Sequence, residues 1–171
     1  MTHIGTQTIE TQRLILRKFE LSDAPCAYRY WAGVEEIQKN YAEPTYETLE
    51  KTEELLSQYI EKCESDDYYR WAVVLKETGE CVGMVAFYLV NTDFEFGEIE
   101  YCIGKDFQNK GYITEATRAL IDYGFEKIGF NRIQICCRDN NPKSRRVIEK
   151  CGFTFEGTLR EYFKFEGEFC G

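Results

Sequence analysis

The sequence predicts an α/β fold (α+β in its segregation): one mixed, twisted central sheet of six to seven strands with helices on both faces. Three observations carry that reading. Segments of period two and of helical period follow in the order strand, two helices, three strands, helix, strand, helix, strand. Two early strands are joined by a tight turn and must pair antiparallel, whereas the later ones are separated by helices, which permits a parallel pair. No repeat, low-complexity tract or linker divides the 171 residues, so 1–171 reads as a single domain with core enough to fold unaided.

Each element has its own warrant. "TQRLILRKF" (Thr11 to Phe19) alternates apolar and polar residues and reads as a strand. Ser22 opens "SDAPCAYRYW" as a helix cap, with Pro25 tolerated in the first turn. From about Tyr46 to Cys63 a longer helix sets Leu49, Leu56, Tyr59, Ile60 and Cys63 on one stripe and its glutamates toward water. "YRWAVVLKETGECVGMVAFYLV" gives two strands around a turn at Glu77 to Glu80, where Gly79 supplies the permissive dihedral. A strand follows from Gly97 to Gly104, then a helix from Thr114 to Lys127 and the strand "RIQICCR". "NNPKSRRVIEKCGF" is a short helix with Pro142 at its start and Gly152 as its stop. The last segment gives a strand, a turn at Glu166-Gly167 and the beginning of another strand, which suggests a final strand truncated at Gly171.

Composition narrows the function. A formal charge of −9 argues against a nucleic-acid partner and suits a cationic acceptor such as an amine. No apolar run is long enough to span a bilayer and no secretion signal opens the chain, so the expected location is cytoplasmic, with no membrane partner. The eight cysteines show no C-x-x-C pair and read as reduced core residues. The one histidine, His3, falls in an N-terminus expected to fray, which leaves neither a histidine triad nor a histidine-bearing metal site. No metal is expected.

"DFQNKGYITEATRALIDYGF" is the stretch richest in chemistry. Polar residues and a glycine run into an amphipathic helix with Thr114 at the join, which gathers orphan N–H groups near Gly111 to Ala116. Such a nest at the positive end of a helix dipole binds anions without side-chain charge. Gly111 permits close backbone approach and Lys110 adds a point charge. Neither a Walker loop nor G-x-G-x-x-G is present. An ordinary threonine-capped loop is the alternative.

"IEYCIGKDFQNKGYITEATRALIDYGF" resembles the central motif of the GNAT acetyltransferase superfamily, a strand, Q/R-x-x-G-x-G/A and a helix, with Gln108, Gly111 and Ile113 at the signature positions. Ile113 departs from the small residue usual there and implies tighter cofactor packing. "ETQRLILRKFELSDA" resembles the start of the RimJ/RimL-type branch, the ribosomal-protein N-terminal acetyltransferases and their relatives, and "NPKSRRVIEKCGFTFEGTLREY" its later motif. The matches run from about Glu10 to the last residue.

The resemblance implies a GNAT fold with a splay between the fourth and fifth strands, where acetyl-CoA binds. Backbone groups of Tyr101, Cys102 and Ile103 would pair with the pantetheine arm. Gln108, Asn109, Lys110, Gly111, Tyr112, Ile113 and Thr114 would hold the pyrophosphate, and Asn141 with neighbouring Asn140 would bond the pantetheine. Lys143, Arg145, Arg146 and Lys150 form a basic cluster suited to the nucleotide or else a solvated helix face. Direct attack of an amine on the thioester needs a base. Glu98 fits first and Glu100 second, since they share one strand face and burial moves a carboxylate toward the useful range. Both could equally be partnered structural carboxylates.

For the leaving thiolate, the tyrosine of many family members is replaced by Ile148, and the serine of N-P-x-S, Ser144, is the implied hydrogen-bond donor, or else a helix cap. The branch's further glutamate falls at Phe163 and is absent. Oxyanion stabilisation would come from a backbone N–H near Cys102 or Ile103. Trp31, Glu36, Tyr41 and Tyr46 lie where the family forms its acceptor wall, although aromatic stripes are also core. The implied activity is acetyl transfer to a primary amine, of a protein or peptide N-terminus or of a polyamine or amino sugar. An idle CoA-binding module is the alternative, and a homodimer is common among relatives.

Overall fold

The computed structural model describes every residue except Ala42, Glu166 and Gly171, together with all side chains but those of Tyr41, Phe163, Phe165, Glu168 and Cys170. Six strands form one sheet in sequence order: β1 (Ile9–Glu10), β2 (Leu14–Arg17), β3 (Tyr69–Leu75), β4 (Cys81–Asn91), β5 (Phe96–Ile103) and β6 (Arg132–Ile135). All neighbours pair antiparallel except β5 and β6, which are parallel. The predicted mixed α/β sheet is therefore present with six strands.

Two cores sandwich it. On one face Leu14, Trp71, Val85, Phe87 and Ile99 pack against Ile113, Ala116 and Leu120 of helix α4 (Tyr112–Tyr123) and against Phe130. On the other, Ala72, Val74 and Met84 meet the short helix α1 (Ala24–Ala27) and Leu56 of α3 (Leu49–Lys62). Period-two strands with apolar residues on both sides are what a sheet covered on both faces requires.

Several boundaries differ from those expected, each for a local reason. The first strand does not begin at Thr11. Thr11 accepts at its hydroxyl from the Leu14 N–H (3.1 Å) and donates its own N–H to the Leu14 carbonyl (3.0 Å), closing a turn that adds β1 as a hairpin arm. Ser22 does not cap the next helix, which opens as a 3-10 turn at Leu21–Asp23. There the Asp23 carboxylate accepts from the Glu20 N–H (2.9 Å) and is gripped by both terminal nitrogens of Arg17 at 2.8 Å. The segment after Trp31 contains an unforeseen short helix, α2 (Glu35–Gln38). Helix α3 starts at Leu49 because Thr48 accepts from the Lys51 N–H.

The hairpin turn at Gly79 (φ 72°) is as read. Strand β6 ends at Ile135 rather than Arg138, and α5 (Pro142–Lys150) follows with Pro142 in its first turn and Gly152 (φ 85°) just past its end. The closing segment enters no strand until β7 (Phe163–Phe165), which with β8 (Glu168–Cys170) makes a separate two-stranded ribbon. Glu166 of the expected turn lies outside the described residues.

The N-terminus does not fray. The Gly5 N–H donates to the Asp66 carbonyl and the Tyr123 hydroxyl to the Gly5 carbonyl, both at 2.7 Å, while the indole N–H of Trp71 donates to the Gln7 carbonyl at 2.7 Å. His3 lies 3.0 Å from the Tyr69 hydroxyl. Of the seven cysteines whose side chains are described, Cys63, Cys81 and Cys102 are buried as expected, but Cys136 is exposed just past the end of β6. Among the described residues no helix is long and apolar enough to cross a membrane.

Candidate active site

Strand β5 pairs with β6 from Phe96 to Ile99, and from Glu100 onward its β6-facing edge has no strand partner among the described residues. This is the expected splay, now between the fifth and sixth strands because β1 was not foreseen. Backbone groups alternate along a strand. Gly104 donates its N–H to Val82 on the β4 side, and a Cβ on Gly83 of β4 would meet the Cys102 carbonyl at 2.4 Å. Cys102 thus turns its backbone toward β4, and its expected bond to a ligand in the splay is corrected: Tyr101 and Ile103 are the residues that open onto it.

A cavity of about 180 Å³ fills the gap, lined by Glu98, Glu100, Tyr101, Cys136, Asn141 and Ser144 among others. Glu98 lies at its floor, 1% exposed. One carboxylate oxygen accepts from the Gln134 amide at 2.7 Å, and the other has no hydrogen-bond partner among the described residues. A buried carboxylate oxygen left unpaired is costly. Strand β4 bulges opposite: Phe87 pairs with Ile99 and Leu89 with Glu98, so Tyr88 is the extra residue and reaches the cavity wall. Desolvation, then the Glu98 carboxylate, push the Tyr88 phenol up. Desolvation first and the Glu98 charge second also push the Cys136 thiol up, to about 12. Both groups carry their protons beside Glu98 at neutral pH.

Glu100 is differently placed. Its carboxylate is bound by the Arg70 guanidinium at 2.5 Å, which stacks over the Tyr59 ring at 4.5 Å and donates to the Tyr68 hydroxyl at 2.9 Å. It is a paired, structural carboxylate. Ser144 is not the cap of α5. That role belongs to Asn141, whose side-chain oxygen accepts from the Ser144 N–H at 3.1 Å, leaving the Asn141 amide NH₂ to face the cavity as a donor. The Ser144 hydroxyl lies 2.7 Å from the Tyr101 hydroxyl. Besides its backbone, Tyr101 brings its phenol, pushed up by burial, as a second protonated hydroxyl beside Ser144.

The anion-binding stretch takes an unexpected form. Helix α4 begins at Tyr112, two residues before Thr114, and its cap is Gly111 in the left-handed region (φ 81°), after Asn109 at φ 61°. Among the described residues none accepts from the backbone N–H groups of Asn109 to Thr114, so the nest is wider than a threonine cap would leave it. Ile113 is 5% exposed and points into the α4 core, so its size does not tighten the nest. Gln108 and Lys143 meet across it, with the lysine ammonium donating to the Gln108 side-chain oxygen at 3.0 Å. Asn140 is exposed beside Asn141 and makes no described bond, while Arg145 pairs with Glu149 along α5.

The expected acceptor wall is only partly there. Trp31 is 4% exposed in the core against Phe19 and does not border the cavity, and Glu36 is exposed in a pair with Lys105. The Tyr41 side chain lies outside the described residues. Asn40 and Tyr88 line the cavity instead. Sequence reasoning missed Tyr88, because a bulge depends on the register of two strands.

A family profile described as an acetyltransferase (GNAT) domain matches residues 13–154. The uncharacterised N-acetyltransferase p20 of Bacillus licheniformis is 30% identical over 94% of this chain and 90% of its own length. A spermidine N(1)-acetyltransferase of Vibrio cholerae is 28% identical over 78% of this chain and 75% of its own. A solved Vibrio cholerae protein, provisionally assigned as a ribosomal-protein-serine acetyltransferase, superposes with a TM-score of 0.82 at 26% identity over 98% of this chain and 94% of that one. With a splayed β5–β6 edge, an anion nest opening α4 and a profile match over most of its length, the chain belongs to the GNAT family of N-acetyltransferases.

Proposed function

We propose that the chain transfers the acetyl group of acetyl-CoA to the primary amine of a protein or peptide N-terminus, with Glu98 as the base. The observation that carries this is the unpaired oxygen of a fully buried carboxylate at the floor of the splay. An amine entering from the Tyr88 side donates a proton to that oxygen and becomes a nucleophile, so no protein nucleophile is needed. The Tyr101 N–H, on the β6-facing edge, stabilises charge developing on the carbonyl oxygen. As the carbon–sulfur bond breaks, the Ser144 hydroxyl, backed by the Tyr101 phenol at 2.7 Å, donates to the leaving sulfur. The N–H groups of Asn109 to Thr114 and the Lys143 ammonium hold the diphosphate, and Asn141 offers its amide to the pantetheine arm.

The wall favours a single amine over a polycation. A polyamine requires successive unpaired carboxylates, yet Glu100 is already held by Arg70, and Arg138 lines the same cavity. The test compares Glu98→Gln and Ser144→Ala with the parent, using a panel of N-terminal peptides, spermidine and amino sugars. Turnover of a peptide falls about 10²-fold or more in Glu98→Gln, in line with the usual contribution of a general base, and falls in Ser144→Ala, while calorimetric affinity for CoA is kept. Undiminished turnover in both variants removes the assignment of these residues. Spermidine as the preferred acceptor replaces the peptide reading, and CoA binding without turnover of any acceptor leaves a binding module.

A further inference from the structure

Arg13 immediately precedes β2, far in sequence from the anion nest, yet its side chain ends there. Its Nε donates to Glu115 Oε2 at 2.7 Å, its backbone N–H to Glu115 Oε1 at 2.8 Å, and one terminal nitrogen to the Lys110 carbonyl at 2.9 Å. The Thr11 hydroxyl adds a bond to Glu115 Oε1 at 2.6 Å, and the guanidinium stacks on the Tyr112 ring at 4.6 Å. We propose that Arg13 is a positioning residue for the cofactor diphosphate, acting through the Lys110–Gly111 peptide and through Glu115. The inference rests on the diphosphate lying at Asn109 to Thr114.

Two physical effects follow from that geometry. In a trans peptide the C=O and the following N–H point in opposite directions. Arg13 takes the Lys110 carbonyl toward β2, so the Gly111 N–H is turned away from β2, to the side where Gln108 and Lys143 meet. The glycine is favoured here by its φ of 81°, and a Cβ would stand 3.3 Å from the Arg13 guanidinium, which would have to shift slightly.

The second effect is electrostatic. A glutamate in the first turn of a helix ordinarily competes for the positive end of the dipole and repels any anion bound there. Glu115 is such a residue, but three donors from Thr11 and Arg13 hold both its oxygens against β2. Burial pushes its carboxyl up, and these bonds outweigh burial and bring it below the ordinary value. The negative charge is thus fixed and neutralised on the side away from Lys143. Arg13 shapes the nest and clears it.

The test is calorimetric titration of the full chain with CoA and with pantetheine, which keeps the thiol arm and lacks the diphosphate. The parent is expected to prefer CoA strongly. Arg13→Ala weakens CoA by about tenfold or more, as expected for losing a charged hydrogen bond, and leaves pantetheine unchanged. The double variant Arg13→Ala/Glu115→Ala recovers part of the loss, because the freed carboxylate is gone. A merely structural clamp predicts the reverse, with both ligands weakened together and the double variant weaker still. That result, or an unchanged CoA preference in Arg13→Ala, overturns the proposal. If Arg13→Ala does not fold, Arg13→Lys carries the same comparison. Equal affinity of the parent for CoA and pantetheine would instead overturn the placement of the diphosphate.

Discussion

At the scale of single residues, the same carboxylate is worth different things according to its partners. Glu98 and Glu100 sit two positions apart on one strand face, and the sequence ranks Glu98 first as the base with Glu100 in reserve. Arg70 decides between them by occupying Glu100, while one oxygen of Glu98 stays open to the cavity. Cys136 offers a direct readout of the Glu98 charge. Desolvation and that charge hold its thiol up at about 12, so little thiolate exists at pH 8 although the residue is exposed. Replacing Glu98 by Gln removes a charge that favours the protonated thiol, so the Cys136 pKa falls and its thiolate fraction rises. Peptide-mapped alkylation at pH 8 should therefore be slow at Cys136 in the parent and faster in Glu98→Gln. An equal rate in the two proteins would mean that the carboxylate does not face the thiol.

At the scale of elements, what was legible followed from local chemistry. The Gly79 turn, the apolar stripe of α3 and the Pro142 to Gly152 limits of α5 each depend on residues within one turn of each other. What was not legible depended on distant partners. Thr114 has the chemistry of a cap, but α4 starts earlier because Gly111 adopts φ 81° beside Arg13, 98 positions away by numbering. The bulge at Tyr88 is set by the register of β4 on β5, which no short window contains. Ile113 departed from the family pattern in sequence, and only the packing shows that its side chain faces the core.

Helix α3 tests the local part of this account. Thr48 accepts from the Lys51 N–H, and the helix buries Leu56 on the face of the sheet opposite α4. Thr48→Ala should cost about 1 kcal/mol of stability, the usual value of such a cap, read as a lowered denaturation midpoint. Affinity for CoA should not move. A loss of CoA binding in proportion would show that the two faces of the sheet are coupled more tightly than these contacts imply.

At the scale of the whole molecule, the first residues act as a strap rather than a tail. They cross the α4 face of the sheet and satisfy groups that no strand reaches: the Trp71 indole through the Gln7 carbonyl, the Tyr123 hydroxyl through the Gly5 carbonyl, and the Arg70 N–H through the buried Thr6 hydroxyl, at 2.7, 2.7 and 3.0 Å. Thr6 in turn donates to the Tyr68 carbonyl at 2.9 Å, and Gly5 to Asp66 at 2.7 Å. Termini fray unless bonded in this way. At about 1 kcal/mol net for each bond, the five together contribute roughly 5 kcal/mol. In a domain of this size each kilocalorie is worth about 2–4 °C of Tm.

Deleting residues 1–7 should therefore lower Tm by roughly 10 °C or more on the same scale. It should also speed amide exchange in β3 and α4, which the strap ties together through Trp71 and Tyr123. A change of Tm within about 2 °C, less than one net hydrogen bond, would show that the strap is dispensable. Its bonds would then be replaced by water at no cost, and α4 would be held by its packing on the sheet and by the Thr11–Arg13–Glu115 contacts.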